Sequence, residues 1–130
     1  MSPKDLRYTE QHEWVRVEGN AATVGITDHA QQALGDITFV ELPDTGQQVE
    51  AGGEVCAIES AKAASSIYAP AAGKVAEANS ALEDDPSTVN TDPYGDGWVY
   101  KLELSDPSQL ETLMDAEAYD AFLEKDQGGS

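Results

Sequence analysis

The sequence is poor in the residues that carry most site chemistry. Its one cysteine, Cys56, cannot form a disulfide within the chain, and it lies in an apolar alternating run where it reads as a small buried hydrophobe. Two histidines, far in sequence from that cysteine, do not make a zinc ligand set, so no metal site is expected. No apolar run approaches the roughly eighteen residues that a membrane span needs. The opening M-S-P-K-D-L-R-Y lacks both the apolar core of a signal peptide and the arginine-rich character of a transit peptide, which points to the cytoplasm. Basic residues are also few, 7 against 25 acidic, for a net charge of −18 with both histidines neutral. Nucleic acid and anionic membranes are bound through basic patches that neutralise phosphate, so this balance argues against both. There is no nucleophile with a base and no phosphate-cradling loop, and the expectation is a chain that is not an enzyme.

What is present suits one domain. At 130 residues with 40% apolar side chains, the chain can bury a core without covalent staples, and 1–130 is read as a single unit. Short extended runs dominate the first hundred residues. Glu13 to Glu18 and Ala21 to Ile26 flank the turn pair Gly19-Asn20; Thr27 or Asp28 can cap a short helix that Gly35 ends. Strands are expected at Asp36 to Leu42, Glu54 to Glu59, Ala64 to Tyr68, Lys74 to Ala78 and Trp98 to Leu104, with one helical turn near Ser87 to Val89. Asp106-Pro107 then opens a helix, and Tyr119, Phe122 and Leu123 fall on one face of another. The spacing therefore predicts a mainly β body over about 6–104, a C-terminal helical cap over about 106–125 and a frayed tail at 126–130. The tryptophans and Phe39 are assigned to the core.

The segment Gly53 to Gly73 stands out. Two extended runs flank a tight connection at Ala61-Lys62-Ala63, and Ser60, Ala61, Ala63 and Ala64 are all small. Lys62 is thus left projecting where a macromolecule could reach it. Alone, a lysine at a hairpin tip is usually just a solubilising charge.

The run Glu59-Ser60-Ala61-Lys62-Ala63-Ala64-Ser65-Ser66-Ile67-Tyr68-Ala69-Pro70, with Gly73 after it, resembles the lipoyl-attachment region of the glycine cleavage H-protein family. The likeness extends to His12-Glu13-Trp14-Val15, to Gly25–Gln31, Phe39–Pro43 and Val89–Trp98, and to Leu110–Tyr119, in order over essentially the full length. The resemblance implies a lipoyl/biotinyl barrel-sandwich hybrid of two small antiparallel sheets. It implies lipoic acid as an amide on Lys62, serving as a swinging arm. The implied partners are the pyridoxal-phosphate glycine decarboxylase (P protein), the tetrahydrofolate-dependent aminomethyltransferase (T protein), dihydrolipoamide dehydrogenase (L protein), and a lipoate ligase or octanoyl/lipoyl transferase. The carrier itself is expected to be a monomer. Glu59 and Gly73 match positions that the modifying enzymes read, and Glu59 taken alone is a solvated strand residue. Glu13 matches an acid that faces the amine of the loaded arm in a protective cleft; by alternation it could equally point outward beside an inward Trp14. His29 also matches a family position and reads as structural.

Two positions depart from the family pattern. Ser66 stands where an acid is usual, removing one carboxylate from the expected cleft and recognition surface, and Ala61 replaces a common valine. A biotin carrier would flank the lysine with methionines, which Ala61 and Ala63 contradict; a lipoyl domain of a 2-oxoacid dehydrogenase would show D-K-A at the tip and run shorter, and here Ala61 stands in place of the Asp and extra helices follow. An H-like relay that hands lipoyl or octanoyl groups to other complexes would carry the same motif and remains the alternative. The acidity suits steering toward basic partners, and equally suits solubility or a saline habitat.

Overall fold

Turn chemistry and alternation set the first elements. The computed structural model describes residues 5–128. A two-residue strand, β1 (Arg7–Tyr8), precedes β2 (Glu13–Glu18) and β3 (Ala21–Ile26), which pair antiparallel in an unbroken six-residue register across Gly19-Asn20. The Thr27 hydroxyl accepts from the Ala30 N–H and caps α1 (Asp28–Leu34). Gly35 ends it at φ +79°, its N–H returned to the Gln31 carbonyl. Then come β4 (Ile37–Glu41), β5 (Gln48–Val49), β6 (Glu54–Ser60), β7 (Ala64–Tyr68) and β8 (Gly73–Ala78). Two single helical turns, α2 (Ala81–Asp84) and α3 (Thr88–Thr91), lead into β9 (Tyr100–Leu104). A 3-10 helix (Pro107–Thr112), capped by Asp106, and α4 (Ala116–Gly128) complete the chain.

The strands form two antiparallel sheets, one of six strands in the order β1-β2-β3-β9-β8-β5 and one of three in the order β4-β6-β7. Their inner faces bury Val15, Val24, Val75 and Leu102 against Val40, Ile58 and Ile67, so the main core is the space between sheets. Cys56 belongs to it; burial pushes its thiol up to about 12, keeping it neutral, as its alternating context suggests. A second cluster, centred on Tyr8, Trp14 and Tyr119, fixes α4 to the rest. Its stacked Tyr8 and Tyr119 rings lie 4.6 Å apart. Gly73 sits where β8 meets both β5 and β9, and a Cβ there would run into the carbonyl of Glu103.

The architecture expected from the sequence is present, with local differences. The strands β1 and β5 were not expected, because two residues are too few to show a period. The stretch 79–97 holds two helical turns rather than one. Trp98 precedes β9 and packs half-buried on the second cluster, while Trp14 is fully buried. Phe39 is the clear correction: it is 50% exposed, because β4 turns Val40 inward and leaves Phe39 on the opposite face. The helix α4 reaches Gly128, and residues 129–130 of the expected tail lie outside the described residues.

Candidate functional site

The β6–β7 hairpin ends in a turn that its own side chain holds. Ser60 N–H donates to the Ala63 carbonyl at 2.8 Å, and the Ser60 hydroxyl oxygen accepts from the N–H groups of Lys62 (3.2 Å) and Ala63 (3.1 Å). The Ala61 N–H reaches back to the Asp36 carbonyl, tying the tip to the segment before β4. Residues 61–64 are all exposed. Among the described residues Lys62 makes no ion pair. Its aliphatic stem lies over Gly35, with Cε 3.1 Å from where a Cβ on that glycine would stand. The absence of a side chain at Gly35 is what gives the stem this path along the end of α1.

Beside that path is a cavity of about 150 Å³, lined by Ala30, Ala33 and Leu34 of α1, by Ile58, Ser65, Ser66 and Ile67 of the hairpin, and by Gln11, His12, Glu13 and Ile26. Its wall is mostly apolar, with Glu13 as its one carboxylate. Glu13 does not alternate outward: it is 1% exposed, between the sheets. One carboxylate oxygen accepts from the Thr9 hydroxyl at 3.1 Å, and the other from the Tyr68 N–H at 2.5 Å, so the side chain links β2 to β7. Burial raises its pKa to about 7, against the lowering effect of those two donors. An acid so placed is near half-ionised at neutral pH, and an arriving cation would draw it to the charged form.

Lys62, Glu59 and Ser66 share one hairpin. Glu59 is exposed on β6, opposite Phe39 on one side and Ala64 on the other. Ser66 lines the cavity, and its hydroxyl donates to the carboxylate of Glu54 across the hairpin. A carboxylate therefore does stand beside residue 66, although Glu54 is not part of the cavity wall. Gly73 lies in the other sheet, and the close passage of Glu103 already requires a glycine there. His29, on α1, stacks obliquely on His12 with ring centroids 4.7 Å apart.

Three residues support the site in ways that the sequence did not show. Asn90 bonds the Ile37 N–H, the Gln31 amide and the Gly35 carbonyl, so the 79–97 segment holds the end of α1 beside the tip. The Tyr119 hydroxyl bridges His12 Nδ1 and the Thr27 hydroxyl, each at 2.8 Å, joining α4 to the base of the cavity. Thr9 supports Glu13. Only contacts across long sequence separations mark the roles of Asn90 and Tyr119, whereas Thr9 stands four residues from the acid it supports. Among the described residues no group of three or more His, Cys, Asp or Glu is placed to hold a metal, and no helix is long and apolar enough to cross a membrane.

The family model described as Glycine cleavage H-protein matches residues 6–126. The chain is 54% identical to the glycine cleavage system H protein of Chromohalobacter salexigens over 126 residues, covering 96% of each chain. It is 54% identical to that of Myxococcus xanthus over 122 residues, covering 94% of this chain and 95% of the relative. A crystal structure of a glycine cleavage system H protein from Mycobacterium marinum superposes with a TM-score of 0.84 at 39% identity, covering 99% of this chain and all of that one.

Proposed function

The chain belongs to the glycine cleavage H-protein family, and on that premise we propose that Lys62 carries lipoic acid in amide linkage and that the protein is a lipoyl carrier of the glycine cleavage system. It takes the aminomethyl group of glycine from the pyridoxal-phosphate decarboxylase to the tetrahydrofolate-dependent aminomethyltransferase, and returns to dihydrolipoamide dehydrogenase for reoxidation. It does so as a non-catalytic, monomeric subunit in the cytoplasm. One observation carries this reading: Lys62 stands exposed on a side-chain-braced turn, with its stem directed along Gly35 beside a mostly apolar cavity that holds a buried acid.

The residues fit such a group. A lysine amine is the right anchor, since amide formation at Nζ releases a proton and leaves a neutral, long and flexible stem. When bound, a lipoyl group supplies a dithiolane whose sulfurs exchange between disulfide, dithiol and one-carbon-loaded forms. The braced turn fixes one end of the arm, and tethering raises the local concentration of its far end near each docked partner. The walls from α1 and the hairpin exclude water from a seated arm, limiting hydrolytic loss of a reactive one-carbon amine. Glu13 offers a carboxylate to that amine's positive charge. Glu59 is placed for an acylating enzyme to read, whereas Gly73 is held by packing between strands.

The test is intact mass and peptide mapping of protein from cells supplied with lipoate and from cells starved of it. The expected result is a single lipoyl-sized increment on the Lys62 peptide, absent on starvation and in Lys62→Ala. A competent lipoylating host that leaves the peptide unmodified would refute the carrier reading.

A further inference from the structure

The three-stranded sheet buries one face and leaves the other open. On the open face the register places Phe39 and Glu41 of β4 beside Glu59 and Ala57 of β6, with Ala64 and Ser66 of β7 beyond. Phe39 is 50% exposed, one of two exposed large apolar side chains among the described residues; the other, Val17, lies in the six-stranded sheet. Glu41, Glu59 and Glu54 are exposed, and none of the three strands carries a basic residue. A half-exposed phenyl ring opposite Glu59 and two residues from Glu41, one strand from the Lys62 turn, is the pattern of an apolar anchor with a charged rim.

We propose that this face docks the enzyme that forms the amide at Lys62, with Phe39 entering an apolar pocket on that enzyme and Glu41 and Glu59 meeting a basic rim. The proposal rests on Lys62 being the acylated residue. Reach selects this occupant. Enzymes that act on the far end of a long arm can dock well away from the lysine. An enzyme that joins an activated acyl carbonyl to Nζ must lie against the residues within a strand or two of the turn. Neighbouring strands are spaced about 4.8 Å apart, which puts Phe39 inside that footprint. On its other side Lys62 lies against Gly35 and the end of α1, so the open sheet face is the broad surface left for contact. The absence of positive charge on the face fixes the sign of the partner's rim.

The experiment uses unmodified protein from lipoate-starved cells, a purified lipoate ligase, ATP and lipoate, with acylation of Lys62 followed by intact mass over a range of carrier concentrations and salt. Phe39→Ser is expected to raise the half-saturating carrier concentration about tenfold while leaving the saturating rate unchanged, as loss of a docking anchor does. Phe39→Leu should recover most of the affinity, and Val17→Ser should behave as wild type. Glu41→Gln should lessen the salt dependence, and this readout stands even if Phe39→Ser proves unstable; an unchanged salt dependence overturns the charged rim. Half-saturation of a folded Phe39→Ser within twofold of wild type overturns the docking surface alone, as does an equal loss in Val17→Ser. An effect of Phe39→Ser seen only with the decarboxylase also overturns it. Failure of the wild type to be acylated at Lys62 overturns the proposal together with the reading beneath it.

Discussion

At the scale of single residues, Glu13 has the sharpest consequences. Its hydrogen-bond partners, the Thr9 hydroxyl and the Tyr68 N–H, are neutral, and their donation offsets only part of the cost of burying a charge. The folded pKa of about 7 lies above the ordinary 4.5. Between those two values the folded chain keeps a proton that the unfolded chain has lost, so stability falls as pH rises from about 4.5 to about 7 and levels off above. The loss is on the order of 3 kcal/mol. Glu13→Gln removes the titration while its amide can still accept from Tyr68 and donate toward Thr9. Urea unfolding across pH 4 to 8 should show that slope in the wild type, a flatter line in Glu13→Gln, and a more stable variant at pH 8. Parallel curves would mean that Glu13 does not titrate between these limits. A carrier that holds this acid ready accepts a stability deficit above neutral pH which a seated cation would relieve, so function and folding oppose each other at one side chain.

At the scale of elements, the hairpin turn matters more than its size suggests. Ser60 accepts two backbone N–H bonds that would otherwise point to water from an exposed tip. Ser60→Ala leaves those groups solvated rather than buried, so the expected cost in global stability is only about 0.5–1 kcal/mol. Local order should respond more strongly. Amide exchange at Lys62 and Ala63 should speed up in Ser60→Ala while core amides such as that of Ile58 keep their protection. Unchanged exchange at the tip would show that the Ser60 N–H to Ala63 bond holds the turn unaided. The hairpin was legible in the sequence because its alternation is long and its tip is uniformly small. The β2–β3 pair was legible for the same reason, with its turn residues adding a second signal. By contrast, β1 and β5 span two residues each and exist only through their partners. The phase of β4 was misread because Phe39 and Val40 are both apolar; register with Glu59 and Ile58 decides which one faces in. Glu13 could be picked out as a motif residue, but its burial depends on Tyr68, which lies 55 positions along the chain.

At the scale of the whole molecule, seven basic groups can neutralise at most seven of 25 acids, leaving the −18 excess whatever the side chains do. The Lys101–Glu77 pair, at 3.9 Å and with both side chains exposed, adds little to stability. The excess charge acts in two opposed ways. It repels itself within the fold, and it attracts basic surfaces from beyond contact distance. Salt screens both, the Debye length falling from about 30 Å at 0.01 M to about 10 Å at 0.1 M. Stability and partner recognition should therefore move in opposite directions over that range. The melting temperature should rise with added sodium chloride, while the carrier concentration that half-saturates the decarboxylase should also rise, reflecting slower association. The pairing of the two measurements separates steering from mere solubility. A chain that is acidic only to stay dispersed would show the stabilisation by salt without the loss of apparent affinity. A half-saturation value that stays flat over the range would therefore exclude electrostatic steering of this encounter, even if the melting temperature moved as expected.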